Sequence, residues 1–391
     1  MDRLTSECST YHAAFKEVNE KEASQTINFC QKLKKVRSTE INIDHLPPLV
    51  VSKIFKYLSN EQLLMSALFS DMFANEARRV IKGRKKIEER NFILNLDQEN
   101  VSQCIKSLSA LFEYAGDKID TKTGNTILHD AISERKTYLV KDLLTLKRLD
   151  INISNKENFT AFALAAYDGQ IEVVDMLLDA PNVIINIGNG KYNQSALQLA
   201  TIQGNCKIVK KIIDSGLCDI NKQDNEGTTA LHFAAKRGYV KIVQLLLERQ
   251  DINVNCAHED GDTPLMVALG EKKYDVARAL MARHDINIRT KNKLGYTPLH
   301  IATMYKQGDE SIINTLLVKG LNVNDKTEDG FTPLDIAFIQ NSKVGVEALL
   351  RHPQVKAGLS KDCIEDLQLE AYIKGHPEIG MLFEPLSGKN C

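Results

Sequence analysis

A block of about a dozen residues returns along this chain at an almost fixed interval, and that interval constrains the fold more than any other feature. The clearest copies read GTTALHFAAKRG (residues 227–238), GDTPLMVAL (261–269), GYTPLHIA (295–302) and GFTPLDIA (330–337). Weaker copies read GNTILHDAI from Gly124, NFTAFALAAYDG from Asn158 and NQSALQLATIQG from Asn193. The anchors lie 34, 35, 34, 34, 34 and 35 residues apart. A constant period of this length marks a solenoid, in which each unit buries its apolar face against its neighbours.

Each copy carries a second landmark. The residues 15, 16, 19 and 20 beyond the anchor are mostly apolar: Leu139, Val140, Leu143 and Leu144 in the first copy, Val173, Val174, Leu177 and Leu178 in the second, Ile242, Val243, Leu246 and Leu247 in the fourth. This spacing is one stripe of a helix. In the sixth copy the stripe falls two residues late, at Ile312, Ile313, Leu316 and Leu317, which predicts a lengthened turn over Lys306–Glu310. Glycine at the anchor suits a turn that a side chain would restrict. The threonine two residues on (Thr229, Thr263, Thr297, Thr332) caps a helix, and the proline after it (Pro264, Pro298, Pro333) occupies a helical position that needs no N–H. A second glycine, as at Gly169, Gly204 or Gly238, permits the turn between two helices. Short alternating segments, DINVN (251–255), DINIR (285–289) and LNVN (321–324), lead into the next turn.

These blocks resemble the ankyrin repeat, a turn followed by two antiparallel helices, over about residues 120–355 and roughly seven copies. The resemblance implies an all-α solenoid. His129, His232 and His300 occupy the histidine of the family's TPLH motif. One per separate repeat, they read as buried imidazoles bonding between neighbours rather than as metal ligands or catalysts. The pattern frays early, where Asn158 and Asn193 replace glycine and Ala163 and Gln198 replace histidine, so those repeats are expected to be less regular and less stable.

The front of the chain differs. Residues 1–40 read as helical, with Ala14, Val18, Ile27, Phe29, Leu33 and Val36 apolar. Residues 41–82 hold three short helical patterns, and they resemble an F-box: Leu46-Pro47, then Ile54-Phe55, then Tyr57-Leu58-Ser59, then Glu61 with Leu63 and Leu64. Pro48 stands where that family usually has an acidic residue, and the chain contains no tryptophan. The resemblance implies docking on the Skp linker protein of a cullin-RING ubiquitin ligase, with Leu46, Pro47, Val50, Ile54, Phe55, Leu58 and Leu64 as contacts. The plain alternative puts several of these in a small helical core. Residues 83–119 read as a helical linker and N-terminal cap, and 356–391 as a C-terminal capping segment with a helix opening at Ser360. The basic stretch at 78–90 reads as a solvated helix, because Glu88 and Glu89 interrupt it and no aromatic residue interleaves it.

Composition narrows the function. Lys and Arg number 50 against 51 acidic residues, a formal charge of −1, which argues against a chain built to hold nucleic acid. No apolar run is long enough to span a bilayer, and the polar N-terminus lacks the apolar stretch of a signal peptide. Eight scattered cysteines without a CxxC pair suit a reducing compartment and no zinc site. No P-loop, HExxH, GxSxG or kinase signature is present, and Cys256 and His258 sit too near a turn tip to form a dyad. We therefore expect no enzyme and no cofactor. The expected function is a substrate-recruiting adaptor: the Skp linker in front, a target protein on the repeats. The alternative is a non-enzymatic scaffold or inhibitor outside the ubiquitin system. Candidate target contacts are Lys156, Tyr167, Asp224, Tyr239, His258, Tyr274, Lys293 and Tyr305, at turn tips or between paired helices. The tips alternate in sign, which suits a mixed polar protein face. A cytoplasmic site is expected. The combination is also similar to F-box/ankyrin effectors that intracellular bacteria inject, which would place it in host cytosol.

Overall fold

The computed structural model describes residues 120–386, apart from residues 121, 147 and 148. The expectations placed on residues 1–119, including the F-box-like segment with its seven contact residues and the basic stretch, lie outside the described residues. The chain divides into two compact units, residues 1–156 and 157–391.

In the first unit, the turn from Asp120 to Asn125 feeds helices α1 (Ile127–Ser133) and α2 (Thr137–Leu143). Thr126 is the N-cap of α1, and its hydroxyl and backbone N–H both face Nδ1 of His129, at 2.8 and 3.2 Å. Leu139, Val140 and Leu143 of α2 are fully buried, as the spacing predicts.

The second unit repeats this design six times: α3 (Ala161–Tyr167) and α4 (Ile171–Leu178); α5 (Ala196–Ile202) and α6 (Cys206–Asp214); α7 (Ala230–Arg237) and α8 (Val240–Leu247); α9 (Pro264–Gly270) and α10 (Tyr274–Met281); α11 (Pro298–Thr303) and α12 (Glu310–Val318); α13 (Pro333–Ile339) and α14 (Lys343–Leu350). Among the described residues the only strand-like pairing is an isolated bridge between Asn189 and Gln194. First helices pack on first helices and second on second along the series. Close approach needs small residues, and Ala230, Ala234 and Ala235 of α7 are all buried. The second helices supply the bulk: Ile242, Val243 and Leu246 of α8 are buried, each worth about 1.5–3 kcal/mol of burial. Proline is the first residue of α9, α11 and α13. In the sixth repeat the connection runs from Met304 to Asp309, and Asp309 accepts the Ile312 N–H at 3.1 Å to cap α12. The lengthened turn thus ends one residue earlier than its sequence suggests, with Glu310 already helical.

Beyond α14 lie α15 (Pro353–Gly358), α16 (Lys361–Ile373), α17 (Pro377–Phe383) and a 3-10 turn at Glu384–Leu386. Ser360 caps α16 by accepting the Cys363 N–H at 3.2 Å. Helix α17 packs on α14, and its buried Phe383 meets Phe338 of α13 edge-on, with ring centroids 6.3 Å apart.

Candidate binding groove

The turn tips are tied to one another by the backbone. Asn225 N donates to Tyr192 O (2.9 Å), Glu259 N to Glu226 O (2.8 Å), Lys293 N to Asp260 O (2.9 Å) and Glu328 N to Leu294 O (3.0 Å). At Gly295 this approach leaves no room for a side chain. Gly295 has φ +77°, and a Cβ there would sit 2.7 Å from Glu328 N. Asn158 and Asn193 take the same left-handed conformation, with φ of 61° and 60°, which asparagine tolerates better than other residues. The anchors thus match the glycine copies in φ, but the turn before Asn193 is less regular, as the sequence leads one to expect: it closes on an Asn189–Gln194 bridge five residues apart, where the turns Asp224–Thr228, His258–Asp262 and Asn292–Tyr296 span four.

Behind several tips a buried polar side chain fixes the first helix to the next turn. Nδ1 of His232 accepts from the Thr229 N–H (3.2 Å) and hydroxyl (2.8 Å), and its Nε2–H donates to Asp262 O at 3.1 Å. A carbonyl only accepts, so the proton sits on Nε2. His300 does the same with Thr297 and with Phe331 O, at 3.1 Å. Burial pushes His232 down to about 4 and lowers His300 as well, so His232 is neutral at pH 7. His232 and His300 thus join neighbouring repeats, as expected. In two repeats without the histidine, other polar groups fill the slot, whereas the fifth repeat has buried Met266 there. Gln198 accepts the Ser195 N–H at 2.6 Å and donates to Thr228 O at 2.5 Å. Opposite Ala163, Asn189 Oδ1 accepts from the Thr160 N–H (2.9 Å) and hydroxyl (3.1 Å).

This scaffold shapes a groove of about 850 Å³ across repeats four to six. Its floor comes from α7, α9 and α11: half-buried Phe233 and Val267 and buried Ile301 occupy equivalent positions, with buried Met266 and half-buried Met304 and Tyr305 beside them. Its rim comes from the tips and helix ends, including Glu226, Glu259, Asp260, Asp262 and Glu271. Leu294, 64% exposed, is an apolar side chain standing on a tip.

The eight predicted target contacts do not converge. His258 and Tyr305 line the groove, and Lys293 is exposed on an adjoining tip. Nδ1 of His258 accepts the Asp260 N–H at 3.0 Å. Asp224 is not available as a surface contact: it is buried, and Oδ1 accepts the N–H groups of Glu226 (3.0 Å) and Thr228 (2.8 Å) to shape its own turn. The tyrosines between helix pairs are partly spent on packing. Tyr239 lies against Gly204, Tyr305 donates to Gly270 O at 2.6 Å, and Tyr274 points to Gln307 O at 3.4 Å. Burial raises the phenols of Tyr274 and Tyr305. Tyr167 is exposed near Phe159, and Lys156 is an exposed tip residue of the first unit. Sequence reading missed the floor and the acidic rim. Comparing every thirty-fourth residue across copies, rather than reading along each copy, would have exposed both.

Among the described residues no group of three or more His, Cys, Asp or Glu side chains has the arrangement of a metal site, and no helix is long and apolar enough to cross a membrane. Burial raises the Cys256 thiol, which accepts from Gln223 Nε2 at 3.1 Å.

Comparison with known proteins agrees with the architecture. The ankyrin repeat domain of Bcl-3, a member of the IkappaB family, matches with a TM-score of 0.52 and 25% identity, over 59% of this chain and all of that one. An ankyrin repeat domain from Acinetobacter baumannii matches with a TM-score of 0.44 and 26% identity, over 49% of this chain and 96% of that one. BTB/POZ domain-containing protein 1 of Schizosaccharomyces pombe is 33% identical over 91 residues, which is 22% of this chain and only 6% of that protein. Repeat stacks of this kind are protein-interaction scaffolds, presenting an extended concave face to a protein partner. Residues 128–224, 197–292 and 284–359 each match the family model for ankyrin repeats in three copies, and with that coverage the chain belongs to the ankyrin-repeat family.

Proposed function

We propose that this chain acts by binding, as the substrate-recruiting adaptor of a Skp–cullin–F-box ubiquitin ligase. Its ankyrin surface holds a target protein, and its F-box-like segment at residues 41–82 docks on the Skp linker. The observation that carries the binding half is the groove over α7, α9 and α11, whose floor is apolar and whose rim is charged. An apolar centre within a polar border is the make-up of a protein contact surface. The ligase half rests on Leu46-Pro47, Ile54-Phe55 and Tyr57-Leu58-Ser59 in their order and spacing. In this role the chain supplies position and no covalent chemistry, since holding two reactants together is itself rate-enhancing.

The test is a pull-down of purified Skp linker protein by the full chain. We expect capture by the natural chain and its loss when Leu46 and Pro47 are both replaced by alanine, with helical circular dichroism unchanged. An intact, folded chain that leaves the linker in solution would reduce the function to a scaffold or inhibitor outside the ubiquitin system.

A further inference from the structure

The rows of the groove differ in charge from the chain as a whole. Five carboxylates line it (Glu226, Glu259, Asp260, Asp262 and Glu271) against the single lysine Lys236; His232 is held neutral, His258 lies 3.9 Å from Asp262, and Lys272 stands over the Tyr305 ring at the groove's edge. Asp262 is partly engaged, accepting from Asn292 Nδ2 at 2.8 Å. Glu226, Glu259, Asp260 and Glu271 are exposed, and among the described residues none has an ion-pair partner. The backbone bond between Glu259 N and Glu226 O keeps two of these tips side by side, so their like charges are held together rather than dispersed. Lys293, on the next tip, lies outside the lining. A chain with a net charge of −1 thus concentrates negative potential around one apolar floor.

We infer that this groove receives a cationic amphipathic segment of a partner protein, with aliphatic or aromatic side chains on Phe233, Val267 and Ile301 and lysine or arginine at the acidic rim. The inference rests on the binding role proposed above and names the chemistry of its partner. The shape suits a helix: three first helices, about 8–10 Å apart, offer about 16–20 Å of floor, the rise of about 12 residues. The rim repels phosphate, which disfavours nucleic acid and anionic lipid as occupants.

Fluorescence anisotropy on the full chain tests this with two labelled peptides of about 14 residues, identical in their leucines at helical spacing. One carries lysine at the remaining positions, the other glutamate. The lysine peptide is expected to bind at least about tenfold more tightly, with affinity falling as salt rises. The combined variant Glu226→Gln, Glu259→Gln, Asp260→Asn and Glu271→Gln is expected to lose that preference while remaining folded. Phe233→Ser is expected to weaken the lysine peptide without altering its salt dependence. Equal binding of the two peptides, no binding of either, or a neutralised variant that holds the lysine peptide as the natural chain does, overturns the inference. Selection of random peptides on the full chain separates this from failure of the binding role. Recovered peptides that Phe233→Ser releases keep the groove as a binding site of different charge preference, whereas no recovered peptide removes the binding role as well.

Discussion

Repeat three ties its first helix to the following turn through Gln198, and repeat four does so through His232. Both side chains are buried, both accept from the N-cap backbone three residues earlier, and both donate to a carbonyl at the same place in the next turn, Thr228 or Asp262. The anchors of the two turns also differ in chemistry and agree in geometry, with Asn193 at φ 60° and Gly227 at φ 74°. In these two repeats the slot takes an acceptor and a donor at a fixed separation, supplied by a ring in one and an amide in the other. What differs is the response to acid. An amide does not titrate, whereas a buried imidazole resists its proton.

The largest effect that sharpens this comparison lies beneath it, in the packing. Leu177→Ala in the second repeat and Leu246→Ala in the fourth each empty a fully buried site, and each is expected to cost about 2–5 kcal/mol in urea unfolding. A much smaller cost at Leu177 would show that the early repeats are loosely held although their buried stripe is intact. Next comes pH. His232 is lowered in the folded state from 6.5 to about 4, so the unfolded chain gains its proton first. Its contribution is present in full above pH 6.5 and is lost as pH falls toward 4, on the order of 3 kcal/mol over that window. His232→Gln, which copies repeat three, should flatten the acid limb of a stability-against-pH curve, and Gln198→His should steepen it. An unchanged limb in both would deny that the slot is where acid acts. The smallest effect concerns the anchors. Gly295→Ala forces a Cβ into the left-handed region and against Glu328 N, costing at least about 1–2 kcal/mol by thermal or urea melting. Asn193→Gly, which needs no new space, is expected to stay within about 1 kcal/mol of the natural chain. Equal costs would mean that the close approach between tips is not what selects glycine.

The helices were legible because their signals are local and recur. Thr263 followed by Pro264 opens α9, Thr297 followed by Pro298 opens α11, and the displaced stripe at Ile312 announced the longer turn before α12. The effect of departures from the motif was not legible. Asn189 serves the slot opposite Ala163 from 26 residues further along, and no spacing rule points to it. Asp224 reads as a tip carboxylate free to meet a partner, yet the N–H groups of its own turn claim it, because a short turn leaves backbone donors that the nearest acceptor satisfies.

By itself the sequence determined the period, the helix pair within each period and the buried stripe that joins one pair to the next, since each depends on residues a few positions apart. Which side chains share the groove was decided only when the repeats stacked. Phe233, Val267 and Ile301, or Glu226 and Asp260, are 34 residues apart along the chain and become neighbours through the packing of α7, α9 and α11 and the bonds between their tips. A surface built from one residue per repeat has no local signature, because its physical unit is the stack.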